Sequence, residues 1–146
     1  MNAKIFDTFL AEGVVRRQTP NIPRAVSLLE ESKQATSFLN LSLQTIPSEK
    51  MNSNFIATSC YDIIMQLLRA HLFSNGFNAG ASHEAEVSYL RVLGFPESDV
   101  VFLNELRYYR NGTKYYGTQL DREYADAVLM FMRRLARQLK EKLDSF

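Results

Sequence analysis

Between Asn52 and Asn75 the apolar residues Ile56, Cys60, Ile63, Ile64, Leu67, Leu68 and Leu72 recur at three- and four-residue steps. Such spacing stacks side chains along a helix, and here the arc they cover is too wide for a single neighbour to bury. The segment therefore predicts a helix enclosed on several sides, and the rest of the chain must supply the helices that enclose it.

Prolines and glycines mark where those helices stop. A first amphipathic segment runs from about Ala3 to Arg17 through Ile5, Phe6, Phe9, Leu10 and Val14, and Thr19-Pro20-Asn21-Ile22-Pro23 ends it. A second, from about Pro23 to Thr45, repeats Ala25, Leu28, Leu29, Ser32, Thr36, Leu39 and Leu43 on one face. After the central segment, Asn75-Gly76 supplies a C-terminal stop, and Ser82, three residues before Ala85, an N-cap for a short helix from His83 to about Leu93. Pro96, Glu97 and Asp99 open a fifth helix reaching toward Arg110. A sixth, about Asp121 to Leu143, turns Ala125, Val128, Leu129, Met132, Leu135, Ala136, Leu139 and Leu143 inward and Arg133, Arg134, Arg137, Lys140 and Lys142 outward. With no β-type alternation in competition, the expectation is an all-α, antiparallel, up-and-down bundle of five to six helices. It forms one domain over 1–146, with a helical N-terminal extension at 1–20 and a core bundle at 24–143.

Several classes of function are excluded by the inventory. One cysteine, Cys60, leaves no internal disulfide and no multi-thiolate metal site, which fits a cytoplasmic setting. Among its apolar neighbours it reads as a small core residue rather than a nucleophile. With 17 basic and 16 acidic side chains, no global field points to nucleic acid, so an anionic partner must meet a local patch. No apolar run is long enough to cross a membrane, the glycines lack the context of a phosphate loop, and the carboxylate pairs Glu30-Glu31 and Glu84-Glu86 do not face each other. No cofactor or metal is implied.

The segment that stands apart is Asn104-Glu105-Leu106-Arg107-Tyr108-Tyr109-Arg110-Asn111-Gly112-Thr113-Lys114-Tyr115-Tyr116-Gly117. If a helix runs through it, Arg107, Arg110 and Lys114 share one face, a cationic stripe suited to phosphate oxygens, with tyrosines beside it to stack on unpaired bases. The plainer alternative makes Asn111-Gly112 a helix end, uses the tyrosine rings as core covers and pairs the arginines with Glu105 or Asp121.

The stretch from Leu106 to Gly117 resembles the signature helix of HEPN domains, in which an arginine and a polar residue precede a histidine. Tyr61 to Gly76 resembles that family's central helix, Ser82-His83-Glu84 resembles the opening of its next helix, and the likeness spans roughly Arg24 to Leu143. It implies a homodimeric bundle that handles RNA or nucleotides, in some members alongside a nucleotidyltransferase partner protein. Residue by residue, Arg110 matches the arginine and Asn111 the polar residue, while the histidine position falls on Tyr115 or Tyr116. A phenol with a pKa near ~10 is a poor base at neutral pH. The resemblance thus points to an RNA- or nucleotide-binding accessory module using Arg107, Arg110, Asn111, Lys114, Tyr115 and Tyr116, without catalysis. Two alternatives stay open: a metal-independent endoribonuclease of toxin-antitoxin type, and a purely structural bundle for protein interaction. The only histidines, His71 and His83, read as a packed core residue and a helix-opening surface residue.

Overall fold

The computed structural model describes residues 4–115, 117 and 119–143, and its architecture is an all-α bundle. Its six helices are α1 (Phe6–Ala11), α2 (Ile22–Thr45), α3 (Ser53–Ser74), α4 (His83–Val92), α5 (Glu97–Tyr115) and α6 (Arg122–Lys142). Four of them start where a side chain takes up an otherwise unsatisfied backbone N–H. Asn21, Asn52, Ser82 and Asp121 accept from the amides of Arg24, Phe55, Ala85 and Tyr124.

Helix α3 is the hub, packed most extensively against α2 and α6 and also against α4 and α5. Its residues Ile56, Cys60, Ile63, Ile64, Leu67 and Leu68 have no exposed surface, which is what the wide apolar arc requires. The main core joins them to Leu39 of α2, Leu90 of α4, Leu103 and Leu106 of α5, and Val128, Met132, Leu135 and Leu139 of α6. No helix among the described residues is long and apolar enough to cross a membrane.

Two expectations are corrected. The N-terminal helix is shorter than its apolar pattern predicts: α1 ends at Ala11, Gly13 takes a positive φ of 75°, and Arg16–Arg17 forms strand β1 against β2 (Phe77–Asn78) in an antiparallel ribbon. Phe6, Phe9 and Val15 bury themselves against Leu72, Ala79, Ala85 and Tyr89 in a second apolar cluster, so tertiary burial overrides helical spacing. Gly76 makes the ribbon possible, since its φ is 81° and a Cβ there would stand 2.6 Å from the Gln18 carbonyl oxygen. Helix α5, conversely, runs through Asn111-Gly112 instead of ending there. One glycine costs a helix only about 1 kcal/mol, less than the packing of α5 returns.

Candidate anion-binding site

Because α5 continues unbroken, Arg107 and Arg110 fall three residues apart on one face, and that face is turned toward α3 and α4. Arg110 is only 18% exposed at its side chain. Its guanidinium lies over the Tyr61 ring, 5.7 Å from the centroid, and donates from Nη2 to Asp62 Oδ1 at 3.3 Å. Arg107 donates from Nε to Asn104 Oδ1 at 3.4 Å, and among the described residues no carboxylate pairs with it. The plainer alternative named other carboxylates for these arginines. Glu105 accepts from the Tyr124 hydroxyl, Asp121 caps α6, and the carboxylate seen on Arg110 is Asp62.

Two helices bring the remaining groups. Tyr61, buried on α3, meets the imidazole of His83 at the start of α4, with 3.1 Å between its hydroxyl oxygen and Nδ1. One turn along α4 from His83, Glu86 forms a two-pronged pair with Arg69 of α3, whose Nη2 lies 3.2 Å from Oε1. Glu86 is 3% exposed, and a carboxylate so far from water is tolerable only when paired in this way.

The electrostatics tie these groups into one cluster. Burial pushes the Tyr61 phenol well above its ordinary pKa, the charge of Glu86 adds to that, and Arg107, Arg110 and Arg69 oppose it. Burial also lowers the pKa of His83, helped by Arg69, Arg110 and Arg107 against Glu86. The phenol thus stays protonated and the imidazole neutral at pH 7. The phenol and Nδ1 share a hydrogen bond whose direction follows the ring's tautomer. Three guanidiniums against the carboxylates of Glu86 and Asp62 leave the cluster locally positive, in a chain whose formal net charge is +1.

Chemically, such a group can hold an anion by paired N–H donors and offer a neutral imidazole beside it. Tyr108 is 72% exposed on the same helix and meets the ring of Tyr109, which is itself packed edge-on against Tyr124. Asn111 is half-buried on α5. The side chains of Lys114 and Tyr115, and Tyr116 as a whole, lie outside the described residues. Among the described residues no group of three or more His, Cys, Asp or Glu side chains is placed to hold a metal ion.

Other candidates resolve differently. His71 is buried and its Nε2 donates to the Leu139 carbonyl at 2.8 Å, a structural link between α3 and α6. Cys60 is buried, with its thiol pushed up to about 12 by burial, which makes it a core residue and no nucleophile. The basic face of α6 is partly occupied: Arg134 pairs with the buried Asp99 at 2.6 and 3.1 Å, and Arg133 reaches Asn40. Sequence reading missed Tyr61, Asp62, Arg69 and Glu86 and set His83 aside. A usable signal existed in α3, where Asp62 and Arg69 interrupt an apolar helix at a seven-residue interval, two turns apart on one face.

No family model matches this chain, and no curated protein or solved structure matches it at a significant level.

Proposed function

We propose that the chain is a HEPN-like RNA- or nucleotide-binding module that engages phosphate through Arg107 and Arg110, acts as a homodimer or beside a nucleotidyltransferase partner, and does not cleave its ligand. The observation that carries this reading is the placement of Arg110 over the Tyr61 ring of the Tyr61–His83 pair, with Arg107 close enough for its charge to be felt by both and the half-exposed Asp62 set against Arg110. The resemblance of Leu106 to Gly117 to the HEPN helix supplies the ligand class. Asn111 belongs to the same helical segment, and Lys114, Tyr115 and Tyr116 join the proposed binding residues on the sequence resemblance alone.

The test is fluorescence anisotropy with a labelled single-stranded RNA at fixed salt. Arg107→Ala and Arg110→Ala should each weaken binding by about five- to tenfold, the loss of roughly one phosphate contact. Arg137→Ala on α6 should leave affinity within about twofold. If all three variants bind like the parent chain, the assignment to α5 is wrong. Light scattering on the purified chain tests the homodimer.

One observation favours the endoribonuclease alternative. A neutral imidazole, the kind of group that accepts a proton from a ribose hydroxyl, stands beside two guanidiniums although the motif position carries a tyrosine. Incubation with RNA in the presence of a chelator separates the readings. Cleavage that disappears in both Arg110→Ala and His83→Gln would establish the enzyme and sink the accessory reading.

A further inference from the structure

A cavity of about 290 Å³ lies on the other side of the Arg69–Glu86 pair, between the start of α2, the end of α3 and strand β2. Arg24 and Arg69 line it together with Phe73, Phe77 and Glu86. Its cations outnumber its anions, and the one carboxylate is already neutralised, since both oxygens of Glu86 accept from Arg69. Arg24 spends its guanidinium on no carboxylate among the described residues and lies over the Phe73 ring at 5.9 Å. A third guanidinium, that of Arg17, sits over the ring of Phe77 at 5.3 Å.

A mixed lining of phenylalanine rings and the guanidiniums stacked on them calls for a ligand that carries both negative charge and a flat apolar part. Size narrows the class. An apolar cavity of roughly 150 Å³ takes up benzene, so this one holds a single ring and leaves about as much space again for an anionic head. A polymer strand needs an open groove, whereas a cavity near the lower end of the range for small-molecule sites does not provide one.

We infer that the cavity bounded by Arg24, Arg69, Phe73 and Phe77 binds a small phosphate monoester carried on a single flat ring, at a site separate from Arg107 and Arg110. The phosphate takes the N–H groups of Arg24 and the outer edge of Arg69, and the ring lies against Phe73 and Phe77. A free molecule and the phosphorylated end of a longer one share this chemistry. The inference does not depend on the RNA reading of α5.

Nuclear magnetic resonance titration of the whole chain tests it, with phenyl phosphate, inorganic phosphate and phenol as probes and the amides from Phe77 to Gly80 as reporters. Phenyl phosphate should saturate those shifts at concentrations about tenfold lower than either fragment alone. Arg24→Glu should weaken that binding by at least about tenfold, and it should not harm folding, because an acidic residue in the first turn of α2 suits the helix dipole. Arg110→Ala should leave it unchanged. Inorganic phosphate binding as tightly as phenyl phosphate, shifts confined to α5, or indifference to Arg24→Glu would each overturn the assignment. Loss of the phenyl phosphate shifts with RNA binding to α5 intact would remove this site and leave the proposed function standing. A 5′-phosphorylated oligonucleotide that moves the same amides identifies the strand end as a source of the ligand.

Discussion

Helix α3 has two working faces, and they are built on opposite principles. The stripe facing α6 runs through Ile56, Cys60, Ile64, Leu67 and His71, and its only polar side chain reaches the Leu139 carbonyl across the interface. The stripe facing α4 and α5 carries Tyr61, Asp62 and Arg69, each joined to a side chain of another helix: His83, Arg110 and Glu86. Dispersion and burial hold the first seam, which tolerates no water. The second is held by directed donors and charges, which a ligand can rearrange. One helix thus supplies the stability of the bundle from one side and its chemistry from the other.

The comparison breaks most visibly on the apolar side. Leu67→Ala should lower unfolding free energy by about 3 to 4 kcal/mol in urea denaturation, because the side chain is fully buried in a core shared by four other helices. A loss below about 1 kcal/mol would mean that this seam is loosely packed. Next comes Arg69→Met, which strands the buried Glu86 carboxylate. About 2 to 3 kcal/mol should be lost, less than for a fully enclosed pair because Arg69 is 30% exposed. Adding Glu86→Leu should recover most of it, and failure to recover would show that packing rather than charge matters there.

Smaller effects sharpen the contrast. Tyr61→Phe keeps the ring under Arg110 and removes only the hydroxyl that meets His83, so it should cost about 1 kcal/mol of stability, measured in the same way. It should also move the titration of the His83 ring resonances, while His71 stays put. The smallest effect is in pH. Both histidines are held below 6.5 by burial, so the unfolded chain takes up their protons first. Their contribution to stability is complete above pH 6.5 and falls away as the pH drops through the folded values. His71→Gln and His83→Gln should each flatten that acid limb, and a stability profile indifferent to both would refute the lowered values.

The helices that carry the bundle were legible because their signals are local. Capping residues, prolines and three- to four-residue spacing place α2, α3, α4 and α6 to within a residue or two of where they lie. The end of α1 was not, because Val15 is buried by the ribbon that Gly76 permits some sixty positions later, and no window of sequence contains both. The site divides along the same line. Arg107 and Arg110 announce themselves within one helix. The groups they face come from positions 22 and 48 residues apart in the pairs Tyr61–His83 and Asp62–Arg110. Nothing but the packing of α4 and α5 on α3 brings those together, and this is why His83 read as a surface residue.

Arg69 and Glu86 form a party wall. On one side they line the small cavity, and on the other their charges are felt by His83 and Tyr61. An anion held on the outer edge of Arg69 offsets part of that guanidinium's charge, and the negative charge so added favours a charged imidazole next door. Occupancy on one side and protonation on the other are then thermodynamically linked, each altering the other by the same free energy.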